Sequence, residues 1–106
     1  MSFEPGFELH PGAAQDIVEI WEFIAQHSMV AARKVREEIL DAVRKSVPFP
    51  RSGHRRSDLT SRPLRFHVVR DYLIAYSPER RPLVVIAVLH GRRNPRSITS
   101  ILETRQ

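Results

Sequence analysis

Hydrophobic positions along this chain follow two periods, and the places where the period changes mark its elements. Phe7 to His10 reads as a short strand, with Pro11 behind it at a helix's first position, where the missing N–H costs nothing. From Ala13 the apolar residues step by three or four. Ile17, Ile20 and Ile24 form one stripe, while Val18, Trp21 and Ala25 form a second beside Phe23, which is more apolar surface than a lone surface helix carries. Ser28 can cap a second helix, in which Ala31, Val35, Ile39 and Val43 keep a four-residue step while Arg33, Lys34, Arg36, Glu37, Glu38 and Arg44 face water. The two helices are expected to form an antiparallel hairpin.

Pro48, Pro50, Gly53 and Pro63 then interrupt any regular element, in a loop holding Arg51, His54, Arg55, Arg56 and Arg62 against Asp58 alone. Beyond it the period becomes two. Leu64, Phe66 and Val68 alternate with Arg65, His67 and Val69, and Arg70-Asp71 reverses the chain into Tyr72 to Tyr76. Leu83 to Leu89 is a continuous aliphatic run, the signature of a central strand buried on both faces. Asn94 and Pro95 can start a short final helix, whose Ile98, Ile101 and Leu102 are expected to seal one end of the sheet. The predicted fold class is α+β: an N-terminal strand, an antiparallel helical hairpin packed on a twisted, mainly antiparallel sheet with a three-strand meander, and a short C-terminal helix. The sheet's second face is expected to be open and to display Arg65 and His67.

At 106 residues the chain predicts one domain, 1–106, with residues 1–6 flexible. Apolar and charged fractions of 42% and 27% match ordinary globular proteins, so neither disorder nor a fibrous repeat is indicated. Cysteine is absent, excluding disulfides and thiolate metal sites; with no long apolar run and no signal-peptide pattern, a cytoplasmic location is expected. The net charge is +5, and only Lys34 and Lys45 of the seventeen basic side chains are lysine, which points to an anionic partner met through guanidinium forks. The histidines, at positions 10, 27, 54, 67 and 90, form no HExxH and no i, i+4 pair, so no metal is predicted. Isolated Gly53 and Gly91 make no phosphate-cradling loop, and no cofactor is predicted.

Several segments in this order resemble the RelE/ParE toxin superfamily, and within it the ParE-like, or plasmid stabilisation, branch. These are Ala13-x-x-Asp16-Ile17-x-x-Ile20-x-x-Phe23-Ile24, the Ala31-Ala32 pair, Pro50-x-x-Gly53, Arg65 in an alternating strand, Tyr72 to Tyr76, and Val84 to Leu89 running into His90-Gly91-Arg92-Arg93. The resemblance spans about residues 7 to 96. It implies a toxin of a type II toxin-antitoxin pair, neutralised by a ParD-like antitoxin whose acidic-apolar segment wraps the hairpin and sheet edge, in a heterotetramer or larger complex. For antitoxin contact the candidates are Ile17, Trp21, Phe23, Ile24, Arg55 and Arg56, although core packing also accounts for Trp21 and Phe23.

ParE-like members poison DNA gyrase, whereas RelE-like members cut messenger RNA on the ribosome. Arg65, Arg92, Arg93 and Arg96 are the target-binding candidates for the first activity. Arg65, His67, His90 and Arg93 are the catalytic candidates for the second, since RNA cleavage needs proton carriers and cations together. The nuclease branch carries a tyrosine where this chain has Ser97-Ile98-Thr99, and its lysines are missing, so a gyrase-binding mechanism without chemistry is favoured. A nucleic-acid-binding module without toxicity ranks last, because few aromatics can lie on an open sheet face.

Overall fold

The computed structural model describes residues 6–106; the flexibility expected of residues 1–6 concerns positions that, Gly6 apart, lie outside the described residues. Strand β1 (Phe7–Leu9) leads into helix α1 (Pro11–Ala25), followed by α2 (Met29–Ser46). The meander is β2 (Arg65–Val69), β3 (Tyr72–Ser77) and β4 (Leu83–His90), and α3 (Pro95–Thr104) ends the fold. The anticipated caps are in place. Pro11 and Pro95 start their helices, Ser28 Oγ accepts from Ala31 N–H at 3.0 Å, and Asn94 Oδ1 accepts from Arg96 N–H at 2.8 Å.

The strands are ordered β1-β4-β3-β2, with β1 parallel to β4 and the meander antiparallel. The hairpin covers one face, where Ile17, Val35, Ile39 and Val43 meet Ile74, Tyr76, Val85 and Val88. Each such aliphatic, once fully buried, contributes roughly 1.5–3 kcal/mol. Two expectations need correction. The second face is not open: α3 lies across it, and Ile98 and Leu102 join Leu59, Leu64, Phe66, Ala75, Ile86 and Leu89 in a second core. The final helix therefore covers a face of the sheet rather than an end. Nor do Arg65 and His67 look outward from an uncovered face, because their neighbour Phe66 takes the α3 side and the His67 ring stacks on Tyr76 on the hairpin side.

A β-bulge interrupts the alternation by which β4 serves both cores. Tyr76 pairs with Val85 while Ala75 pairs with Ala87, so Ile86 is an extra residue. Ile86 and Ala87 both belong to the second core, while Val85 and Val88 face the hairpin. The bulged backbone also needs partners, because β1 reaches only as far as Val85. The Ile86 carbonyl accepts from Arg105 at 3.1 Å, and Val88 N–H donates to Asp16 at 2.9 Å. Arg105 and Asp16 are themselves bound at 2.6 and 3.1 Å, largely out of water, with the guanidinium lying against Gly12, where any Cβ would collide with it.

The basic loop is held by a single phenol. Tyr76, 1% exposed, donates to the Pro50 carbonyl at 2.7 Å and accepts from Gly53 N–H at 2.9 Å. A Cβ on Gly53 would sit 2.6 Å from that oxygen, which accounts for glycine at this position. His54 then bridges to Phe66 on the outer edge of β2. At the β2–β3 turn, Arg70 adopts φ 55° where glycine would be relaxed, and its two bonds to Glu38, at 2.7 and 2.9 Å, tie the turn to α2.

Two stability predictions follow from these contacts. Arg105→Ala leaves Asp16 as a mostly buried, unpaired carboxylate and is expected to lower unfolding free energy by about 3 kcal/mol in urea titrations; a loss below about 1 kcal/mol would show that the pair does not brace the fold. Tyr76→Phe should cost about 1–3 kcal/mol, because Gly53 N–H loses its acceptor inside the protein. The same variant should open residues 50–56 to protease before the rest of the chain, and an unchanged cleavage pattern would contradict the phenol's role as the loop's anchor.

Candidate functional site

The hairpin's outer side carries an apolar recess of about 300 Å³, lined by Ile17, Val18, Trp21, Glu22 and Arg36. Ile17, only 7% exposed, belongs to the core and supplies the floor; Trp21, half-buried, forms the wall. Ile24 packs on the core rather than in this recess. Val18 (46%) on α1 and Met29 (57%) and Val30 (73%) at the start of α2 also remain exposed. Arg36 at the rim is the charged group that sequence reasoning assigned to solvent.

Phe23, 65% exposed, turns to the opposite flank of α1 and lines a cleft of about 210 Å³ with Glu19, Tyr72, His90 and Arg93. This cleft lies where β4 runs on beyond β1. His90 is exposed; its Nδ1 accepts from Arg92 N–H at 3.1 Å and its ring meets the edge of Tyr72 at 5.5 Å. Arg92 and Arg93 are exposed and form no ion pair among the described residues. Arg96 opens α3 instead, beside Asp58 and Glu103 in a shallow recess over the other side of the molecule.

Arg65 lies elsewhere. It pairs with Tyr76, which pairs with Val85, whereas Tyr72 pairs with His90, so four residues of β3, about 13 Å, separate the Arg65 end of the sheet from the His90–Arg93 end. The four target-binding candidates are thus divided among the two sheet ends and α3. The nuclease candidates are also divided, with Arg65 and His67 on β2, His90 at the end of β4 and Arg93 just beyond it. The antitoxin candidates split in the same way: Arg55 and Arg56 lie in the loop outside β2, at the sheet edge away from β1, and Arg56 is engaged in two bonds of 2.9 Å to Asp58.

At the β2 edge, Arg65 donates to the Gly53 carbonyl at 3.1 Å, and Ser52 Oγ lies 3.2 Å from His67 Nε2. The His67 ring stacks on Tyr76 with centroids 5.7 Å apart. Burial pushes the His67 pKa below the usual imidazole value near 6.5, and the neighbouring His54 pushes it further down. Arg51, Arg55 and Arg65 border a recess of about 50 Å³ with Glu79. Phe49, 69% exposed between Pro48 and Pro50, stands beside Arg51. Phe49 and Arg51 were not singled out from sequence, though an aromatic held between two prolines in a basic loop was the available signal.

Among the described residues no group of three His, Cys, Asp or Glu side chains could hold a metal, and no helix is long and apolar enough to cross a membrane. The described residues form a helical hairpin on a small mixed sheet, with apolar recesses and arginines on the outside. Residues 7–95 match the family model described as the ParE toxin of the type II toxin-antitoxin system, parDE, and the chain belongs to that family. A toxin of this kind is paired with a cognate antitoxin. Comparison with curated proteins finds no significant match.

The low pKa of His67 gives a pH prediction. The unfolded chain binds a proton at His67 near pH 6.5 that the folded chain does not, so this contribution to stability is complete above about pH 6.5 and is lost as pH falls below it. His67→Gln should flatten the stability profile between pH 6.5 and 5 in denaturant titrations, and a profile as steep as the parent's would assign the slope to another group.

Proposed function

We propose that this chain arrests growth by inhibiting DNA gyrase through surface contacts, as part of a plasmid stabilisation module in the cytoplasm. In this reading a ParD-like antitoxin holds it inactive, in a heterotetramer or larger complex. The apolar part of the antitoxin's segment fills the recess at Val18 and Trp21, and an acidic residue meets Arg36 at the rim. Ile17 supports that contact from below, and Phe23 extends it to the next cleft. Arg92 and Arg93, free of ion pairs among the described residues, are the arginines offered to the target, whereas Arg65 and Arg96 stand apart from them.

The observation that carries this choice over ribosome-dependent mRNA cleavage is the distance between the two halves of the nuclease set. General acid and base must both come within hydrogen-bond reach of one phosphodiester. Arg65 lies opposite Tyr76 and His67 opposite Ile74 on β2, whereas His90 lies opposite Tyr72 on β4, so the intervening strand β3 and two to four residues along it separate the halves. A gripping mechanism needs no such convergence.

Purified protein is expected to inhibit gyrase supercoiling in vitro, and Arg93→Ala should weaken both that inhibition and growth arrest at least tenfold while leaving the circular dichroism spectrum unchanged, the loss of about 1.4 kcal/mol expected for one charged anchor. Supercoiling that proceeds unhindered, together with ribosome-dependent cuts in primer extension, would move the protein to the nuclease branch.

A further inference from the structure

The loop at the start of β2 gathers arginines at a place distinct from the hairpin and from the Arg92–Arg93 end. Arg51, Arg55 and Arg65 border one recess of about 50 Å³, where Glu79 is the only acidic residue in the lining. Glu79 is a weak counterweight. Its contact with Arg51 is 3.8 Å long and both side chains are more than half exposed, conditions under which an ion pair contributes little. Arg55 and Arg65 have no carboxylate partner among the described residues, and Arg65 gives one N–H to the Gly53 carbonyl, which fixes its fork without neutralising it.

Three forks with one weak acidic counterweight exceed what a single anion needs, and they match a run of successive phosphates, each met by one fork. An exposed phenylalanine is ordinary when it stands alone. Phe49 does not stand alone, because Arg51 lines both its surroundings and the arginine recess. Pro48 and Pro50 restrict the backbone on either side of the ring, and the Tyr76 bond to Pro50 anchors the segment to the sheet. A solvent-facing aromatic between two prolines next to a cluster of arginines is the combination that binds an unpaired strand, with a base on the ring and the backbone on the arginines. A duplex keeps its base faces stacked and gives Phe49 nothing to meet.

We infer that Phe49, Arg51, Arg55 and Arg65 form a contact surface for single-stranded nucleic acid. The inference does not depend on gyrase being the target, since the surface is defined by this chain alone and can be assayed without gyrase. It places the nucleic-acid contact on a loop, not on a sheet face.

The test is fluorescence anisotropy of a fluorescein-labelled 20-nucleotide single strand of mixed sequence, titrated with the purified full chain at several salt concentrations. Three phosphate contacts give a log–log salt slope of about −2. Arg55→Ala, which removes no internal bond, should weaken binding and flatten the slope by about 0.7. Phe49→Ala should weaken binding roughly tenfold and leave the slope unchanged, because stacking releases no counterions. Arg33→Ala on the hairpin should change neither. The inference is overturned if Arg55→Ala and Phe49→Ala bind as the parent does. It is equally overturned if Arg33→Ala loses as much affinity, which would reduce the effect to net charge. A glutamate-rich peptide that displaces the strand at equal concentration would reassign the surface to an acidic protein segment. Loss of gyrase inhibition with strand binding intact would count against the proposed function and leave this surface standing.

Discussion

The Asp16 carboxylate is the point at which three parts of the chain are joined. Strand β1 stops at Leu9 because the chain must turn into α1, and beyond Val85 the edge of β4 therefore has no strand to pair with. Unpaired backbone groups there would cost about 1–3 kcal/mol each if buried. Asp16 takes the Val88 N–H, and Arg105, brought back by α3, takes the Ile86 carbonyl and binds Asp16 in turn. One ion pair thus closes the edge that β1 leaves, fixes α1 over β4, and holds the end of α3 on the other side. The cleft holding Glu19, Phe23 and Arg93 begins where this closure stops.

Tyr76 has the same role at the other end of the sheet. A loop this long and this basic has little reason to adopt one conformation, since its arginines repel one another and few of its side chains enter a core. The phenol supplies the missing constraint by bonding Pro50 and Gly53, and Arg62 adds another by donating to the last carbonyls of α3 at Leu102 and Arg105. Phe49 and Arg51 can stay outside because the residues next to them are tied inside.

Local chemistry made most of the elements legible in the sequence. The change of period from four to two separates α2 from β2, and Ser28, Asn94, Pro11 and Pro95 mark helix starts by what their side chains or rings can and cannot do at a first turn. The covering of the second sheet face was implied by the aliphatic run Leu83 to Leu89, but the bulge at Ile86 was not legible. Within an unbroken aliphatic run, an extra residue leaves no trace in the hydrophobic pattern, yet it sends Ala87 toward α3 and Val88 toward the hairpin. The division of the arginines was available and was overlooked. An antiparallel meander puts the start of β2 beside the end of β3 and the start of β4, so Arg65 and Arg93 had to fall at opposite ends once the element order was accepted. Arg56 shows a different limit, since its two bonds to Asp58 depend on a turn that only the folded loop defines.

The hairpin recess and the loop beyond β2 are governed by different physics. The recess on the hairpin is walled by Val18 and Trp21 with Arg36 at its rim, so a segment seated there gains chiefly from apolar burial, which salt does not screen. The loop beyond β2 presents arginines around a small recess, where attraction to an anion falls steeply as salt rises. A partner that closes the first need not touch the second, because α1 lies over β1 and β4 while the loop flanks β2 at the far edge of the sheet. On the proposed reading, an antitoxin segment that covers both has to cross the hairpin and reach the far sheet edge as well. That requirement suits a long, flexible, partly acidic chain better than a compact domain, since a rigid partner matched to one surface leaves the other free.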